Sequence, residues 1–360
     1  MKILFLCKRR PQGKDLIERP YGRFYYLPKI LAEKGHDVNI LLFSHKNDPK
    51  ISLHKDGIYW TSISLLKLGP FAYVQEAKKI IEQHKPDWIV GFSDTYYGIL
   101  AQKLGTKFQI NSLIDAYDNY ESYIPWLKPL HYQWRSSLAR TTLVTAAGPS
   151  LAELVGRSRP GKPTETIPMA ADPSFQPMDK IECRKKLGLP LDKKLVGYSG
   201  STIHSSSGIS LLFQAIESLK LELPDIELIL SGRIGRGITL PPNANWLGYI
   251  PDANMPLLLN SLDVLMVINQ QSSFGNYSYP VKLYEAMKCK IPVAVSSTLS
   301  TNWIMRNKQD LLIEPGNQKK ISDKIKFALD LDRINYGEQL DWKKIGNNFE
   351  KLLFGHQVLS

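Results

Sequence analysis

The stretch YPVKLYEAMKCKIPVAV, residues 279–295, reads as a helix running into a buried strand, with one carboxylate, Glu285, in its apolar length. Pro280 suits the first turn of a helix, where its missing N–H costs nothing. Leu283, Tyr284 and Met287 recur at roughly helical spacing, and IPVAV is a short apolar run bounded by polar residues. Helical side chains lean toward the helix N-terminus, so Glu285 points to the end where a ligand can approach. The plainer reading is a solvated Glu on an amphipathic helix. The chain on either side decides between the two.

Working outward, KKLVGYSG, IELILSG, NWLGYI, VLMVI and IPVAVS read as successive strands, with GISLLFQAIESLK as a helix after the first. The first half alternates in the same way. KILFLC, DVNILLF, DWIVGF and FQINSLID are strand-like, and YYLPKILAEKG, YVQEAKKIIEQHKP and YYGILAQKLG are helix-like. Such alternation predicts parallel sheets covered by helices, with binding sites at the C-terminal ends of the strands. GKPTETIPMAADPSFQP, residues 161–177, is rich in Pro and turn residues and reads as a junction. The expected organisation is α/β with two Rossmann-like domains, 1–172 and 173–340, facing a cleft. A last helix within 341–360 is expected to pack back on the first domain.

The length of 360 residues exceeds one ordinary core, and 43% hydrophobic with 22% charged residues is the composition of a folded protein. No run approaches the ~20 apolar residues of a membrane span. MKILFLCKRR places its charges after a short apolar stretch, which reads as a first buried strand and not as a signal peptide. Cys7, Cys183 and Cys289 are far apart and have no C-x-x-C spacing. They predict a reducing, cytoplasmic location, with neither a disulfide framework nor a zinc site. The net charge of +12 is uneven: residues 1–172 hold 24 Lys/Arg against 16 Asp/Glu. A basic first half suits anionic lipid or a phosphorylated substrate. Without a helix-turn-helix, zinc-finger or RNA-binding aromatic motif, nucleic acid is not expected as a partner.

Several stretches carry a family resemblance. KGHDVNILL, LVTAAGPSLAELV, TIPMAADPSFQP, ELILSGR, NWLGYIPDANMPLLLNSLDVLMV and YPVKLYEAMKCKIPVAVSS resemble, in order, segments of GT-B glycosyltransferases, in particular family 4 (group 1). The resemblance implies a nucleotide-sugar donor bound by the second domain. Glu285 matches the carboxylate that holds the ribose diol, where a charged acceptor makes the stronger bonds. Gly248, Tyr249 and Ile250 match the loop beside the base. Amides at Gly200 and Ser201, in the loop GYSGSTIHSSSG, would receive the diphosphate, although such a loop is also an ordinary turn. The chain departs from the family here, because His204 and serines stand where an Arg and a Lys are frequent. Arg233 and Lys282 are the candidates to compensate. Tyr277 replaces the first acid of a frequent Glu pair, and Lys290 replaces a helix-ending Gly, which predicts a left-handed backbone there.

On the acceptor side an inverting transfer needs a base at a strand end of the first domain, whereas retaining members of the family rely more on stabilising the leaving phosphate. Asp115 and Asp118, in SLIDAYDNYESY, are the candidates, with Asp94 in GFSDTYYG beside them; the alternative for all three is helix capping. Gly22 matches a backbone approach point. Arg9, Arg10, Lys14, Arg19 and Arg23 could grip an acceptor phosphate or an anionic membrane surface. Aromatics from Tyr117 through Trp126 to Trp134 suit an amphiphilic or sugar acceptor, or else plain packing. The sequence thus predicts a metal-independent transferase using a UDP- or GDP-type sugar and no separate cofactor. Its acceptor would be a glycan, a lipid-linked sugar or another cell-envelope precursor, and it could sit on the inner membrane face. The rival readings are a degenerate scaffold protein and a GT-B-fold sugar-nucleotide epimerase.

Overall fold

The computed structural model describes residues 1–200 and 208–356. It divides into two compact units, one of Met1–Ala170 with the chain from Leu340 onward, the other of Ala171–Gln339.

The first unit is built on eight strands: β1 (Lys2–Lys8), β2 (Asp37–Ser44), β3 (Ile51–Lys55), β4 (Ile58–Ser64), β5 (Trp88–Gly91), β6 (Asn111–Ala116), β7 (Leu143–Ala146) and β8 (Glu165–Thr166). Their order is β3-β4-β2-β1-β5-β6-β7-β8, parallel throughout except for the β3–β4 hairpin. That hairpin falls where the sequence reading placed nothing. Its strand β3 alternates half-buried and exposed positions, so it gives no apolar run. Helices α1 (Arg23–Glu33), α2 (Leu65–His84), α3 (Thr95–Phe108), α4 (Lys128–Arg140) and α5 (Pro149–Gly156) cover the sheet. Leu4 and Leu6 of β1 pack with Ile80 and Ile81 of α2 and with Leu100 and Leu104 of α3. The order of the strands reverses between β1 and β5, so the loops after these two strands flank the switch point where an α/β sheet opens to a ligand.

The second unit has six parallel strands: β9 (Lys194–Ser199), β10 (Ile226–Ser231), β11 (Ala244–Trp246), β12 (Val264–Val267), β13 (Val293–Ser296) and β14 (Leu312–Ile313). Their order is β11-β10-β9-β12-β13-β14, with the switch point between β9 and β12. Helices α6 (Lys180–Leu187), α7 (Ile209–Glu222), α8 (Met255–Ser261), α9 (Val281–Lys288), α10 (Leu299–Ile304) and α11 (Gln318–Leu329) connect them. Val196, Leu228, Leu230, Val264 and Met266 form one core with the apolar face of α7, from Leu212 to Leu219. Pro280 is the N-cap of α9, and Lys290 after it has φ 61°, the left-handed conformation expected of the missing glycine.

The final helix, α12 (Trp342–Gly355), belongs to the first unit and lies on α1. Tyr26 and Trp342 stack with ring centres 5.4 Å apart, and His36 Nε2 meets Glu350 Oε1 at 2.8 Å. Gly346 lets the two helices touch, since a Cβ there would come within 2.6 Å of Ile30 Cγ2. No helix among the described residues is long and apolar enough to cross a membrane.

Candidate functional site

In the second unit, polar groups collect where the strands end. The backbone of Gly200, after β9, donates to Ser231 O at 2.9 Å, and Gly232, after β10, donates to Gly248 O at 2.8 Å. The loops touch so closely that a Cβ on Gly232 would sit 2.4 Å from Gly200 O. Glycine at 232 is therefore a packing requirement, and it keeps backbone rather than side chain at this surface. Lys282, in the first turn of α9, extends to the same place. Its Nζ donates to Ser199 O at 2.6 Å and lies 5.1 Å from the centre of the Tyr198 ring. Burial pushes the Lys282 ammonium down to about 8, with Glu285 acting in the opposite sense. A lysine held half out of water and readily deprotonated gains most from an anion that restores its charge.

Glu285 lies one turn further along α9 and is only 6% exposed. Its burial excludes the solvated-surface reading, because carboxylates are rarely enclosed unless something engages them. Gly248 has φ 68°, Tyr249 is exposed and Ile250 is half-buried, while Arg233 is an exposed side chain on the loop after β10. The structure thus brings together Gly200, Gly232, Gly248 and Lys282. Ser201 and His204 lie outside the described residues.

A cavity of about 190 Å³ opens at the ends of β12 and β13, lined among others by Gly208, Asn269, Gln270, Ser297 and Asn317. These polar residues escaped the sequence reading. The available signal was the amide run Asn269-Gln270-Gln271 directly after a buried strand, which resembles any surface loop.

In the first unit the structure separates Asp115 from Asp118. Asp115 is 1% exposed, its Oδ1 accepts from Arg23 Nη2 at 2.7 Å and from Thr145 Oγ1 at 2.6 Å. Arg23 also donates to Ile167 O at 3.0 Å. This corrects two expectations together. Asp115 is the counter-ion of a buried arginine and not a free base, and Arg23 is sealed in the unit and not available to an acceptor phosphate. The reason is electrostatic, since a guanidinium buried by α1 requires an equally buried carboxylate. Arg9 and Arg10 are neutralised in the same way. Arg9 is 2% exposed and meets Asp15 at 2.9 Å, and Arg10 meets Asp15 at 2.8 Å and Asp48 at 2.5 Å. The basic loop after β1 is thus largely an internal ion-pair network, and only Arg19 among its arginines is exposed.

Asp118 is different. It is 6% exposed, and burial pushes its carboxyl up to about 7, while the Tyr123 hydroxyl, donating to Oδ2 at 2.6 Å, and the charge of Arg23 pull it down. A carboxylate poised near neutrality can accept a proton, which is what a general base must do. Asp94 caps α3, accepting from Thr95 N at 2.6 Å and Thr95 Oγ1 at 3.0 Å, so its capping role is the one seen. Beside it Ser93 is held at φ 71° and accepts from Lys8 N at 3.1 Å. A non-glycine residue in that conformation at a switch-point loop is stored strain that sequence does not reveal. Gly22 has φ 66° and ψ −166°, a conformation open to glycine almost alone, immediately before α1. Among the described residues no group of three or more His, Cys, Asp or Glu side chains is arranged to hold a metal.

Comparison with known proteins bears on the fold and on the second unit. Residues 179–348 match the family model described as glycosyl transferases group 1. The chain is 27% identical over 146 residues to TuaC of Bacillus subtilis (strain 168), whose name describes a glycosyltransferase of teichuronic acid biosynthesis. That alignment covers 41% of this chain and 36% of TuaC, so it spans little more than a third of the relative's length. Among solved structures, Anabaena HepE in complex with UDP and glucose superposes with a TM-score of 0.75 at 16% identity, over 99% of this chain and 100% of that one. Sucrose-phosphate synthase from Thermosynechococcus elongatus gives 0.73 at 17% identity, over 99% and 95%. The chain has the GT-B glycosyltransferase fold, and the stretch that holds Gly200, Lys282 and Glu285 matches glycosyl transferases group 1.

Proposed function

We propose that the protein is a family 4-type glycosyltransferase that moves a sugar from a nucleoside diphosphate sugar, of UDP or GDP type, to a glycan or lipid-linked acceptor. The observation that carries this reading is the placing of Lys282 and Glu285 on one helix, with the Lys282 ammonium against the backbone of the β9 loop. Glu285 would accept the two ribose hydroxyls. Lys282 and the amides of Gly200 and Ser201 would take the diphosphate, so the leaving group is neutralised by the chain's own groups without a metal. Tyr249 and Ile250 would lie along the base, and Arg233 would add positive potential.

In an inverting transfer, Asp118 of the first unit would accept the proton of the acceptor hydroxyl as its oxygen bonds the anomeric carbon and the nucleoside diphosphate leaves, with Tyr123 fixing the carboxylate's orientation. Gly22 and Asp94 would border the acceptor. A cell-envelope precursor is the favoured acceptor class. The stretch around Trp126 and Tyr132, which are 76% and 77% exposed, presents aromatic surface beside Lys128. Such a rim suits an amphiphilic acceptor and peripheral contact with an anionic membrane from the cytoplasmic side.

A thermal-shift titration with UDP, GDP and their sugars tests the reading. Glu285→Ala should weaken binding of the preferred nucleotide ~10–100-fold, the loss of a charge-assisted pair of hydrogen bonds. Unchanged binding in that variant would defeat the role given to Glu285. Failure of every nucleotide to bind, or of every donor to release nucleotide with extracted acceptors, would favour the scaffold reading.

A further inference from the structure

A second open cavity described in the second unit is not at the strand ends where Lys282 and Glu285 lie. It measures about 670 Å³ and lies between α7 and the edge strand β11, lined by Lys193, Glu217, Lys220, Glu227, Asn245 and Trp246 among others. Lys193 and Glu227 stand near the starts of β9 and β10, so the cavity reaches the opposite end of the sheet from the glycine loops. None of the residues given a role in the transfer lines it.

Its lining has three properties that together select a ligand class. Trp246 is 51% exposed, yet its ring is pinned because Nε1 donates to Gly232 O at 2.9 Å. What the indole offers a ligand is therefore an apolar face, already immobilised at no further cost in entropy. The same cavity is lined by two carboxylates and two ammonium groups, with Lys193 and Glu227 paired at 2.6 Å. The lining is close to neutral, which disfavours a polyanion such as a nucleotide or nucleic acid. Finally, Glu217 and Lys220 lie three residues apart on α7, one helical turn; Glu217 is an exposed acceptor, and the Lys220 ammonium beside it also donates to Pro224 O. A flat apolar face in a cavity that also holds donors and acceptors is complementary to a pyranose ring. The axial C–H groups of such a ring stack on an aromatic face, and its equatorial hydroxyls both donate and accept.

We infer that the groove between α7 and β11 is a second, non-catalytic carbohydrate site that holds an uncharged stretch of glycan by stacking on Trp246. None of the residues given to the donor lines this groove, although Trp246 is tied to the Gly232 loop, and the site can hold a growing or finished chain away from the chemistry.

The test uses the full chain and three probes, cellobiose, maltose and N,N′-diacetylchitobiose, followed by saturation-transfer NMR and by tryptophan fluorescence. At least one disaccharide should bind with a dissociation constant in the millimolar range. Trp246→Ala should weaken it about tenfold, the loss of a stacking platform, and Glu217→Ala, an exposed helix position that cannot unfold the unit, several-fold. Glu285→Ala should leave it unchanged. No binding by any probe, or binding that survives both Trp246→Ala and Glu217→Ala, overturns the proposal. So does binding lost in Glu285→Ala, which would place the sugar at the donor site. Weakened UDP binding in Glu217→Ala would also overturn it, as a sign that the groove belongs to the nucleotide.

Discussion

The two units end their strands in the same architecture and treat charge there in opposite ways. In the first, Arg23 and Asp115 form a fully buried pair at 2.7 Å, and Arg9 and Arg10 are held by Asp15 and Asp48. In the second, the strand ends are backbone and glycine, with one lysine whose nearest partner is the neutral carbonyl of Ser199. A charge satisfied by a counter-ion builds a scaffold. A charge held against carbonyls and partly dehydrated is poised for a ligand. Asp118, raised to about 7, is the exception in the first unit, and for that reason it is its candidate reactive group.

The sharpest way to break this contrast is to remove one partner of the scaffold pair. Arg23→Met should cost about 3–5 kcal/mol in urea unfolding, because it leaves Asp115 charged and buried. Arg23→Met combined with Asp115→Leu should recover most of that loss, since Asp115 Oδ2 and Arg23 Nε have no hydrogen-bond partner among the described residues. A single variant as stable as the parent would show that the pair does not hold the unit together.

Next, Asp118→Asn keeps the acceptor for Tyr123 but cannot take a proton. Turnover should fall about 10²–10⁴-fold with nucleotide binding intact. In the parent, turnover should rise as pH passes about 7, where Asp118 ionises. Its folded value lies above its unfolded one, so its contribution to stability is full below the ordinary carboxylate range. That contribution is lost as pH rises toward about 7, and unfolding of Asp118→Asn should lack this slope. A pH–rate profile identical in both proteins would remove Asp118 from the mechanism.

Lys282 gives a smaller effect of the other sign. Its folded value, about 8, is below the ordinary lysine value, so the nucleotide-free protein should gain stability as pH climbs above 8. A bound diphosphate should restore the charge. Calorimetry of UDP binding near pH 8, in buffers of different ionisation enthalpy, should therefore detect proton uptake that disappears in Lys282→Met. Uptake persisting in the variant would place the titrating group elsewhere. Smallest of all, Lys290→Gly should stabilise the second unit by about 0.5–1 kcal/mol in thermal unfolding, because φ 61° is strained for lysine.

Much of the fold was legible because its strands are apolar runs between polar breaks. KILFLC, DVNILLF, IELILS and VLMV each fall within a strand of the structure. The β3–β4 hairpin was not legible, because its edge strand is half solvated, and α4 was not, because HYQWRSSLAR is too polar to announce a buried face. The left-handed Lys290 could be foreseen from the absence of glycine after a helix, whereas the left-handed Ser93 could not, because nothing local demands it.

The candidate site divides along the same line. The sequence by itself determined two α/β sheets and left Glu285 open between a surface residue and a ligand; the resemblance singled out Glu285 and Lys282, and a helix start placed both near a strand end. The sequence could not distinguish Asp115 from Asp118. Three residues apart, the two look equivalent in SLIDAYDNY, and only the burial of Arg23 against one of them makes the first a counter-ion and leaves the second to titrate near neutrality. Which carboxylate is neutralised depends on a partner 92 positions away in the chain, and a pairing of that range is set by packing alone.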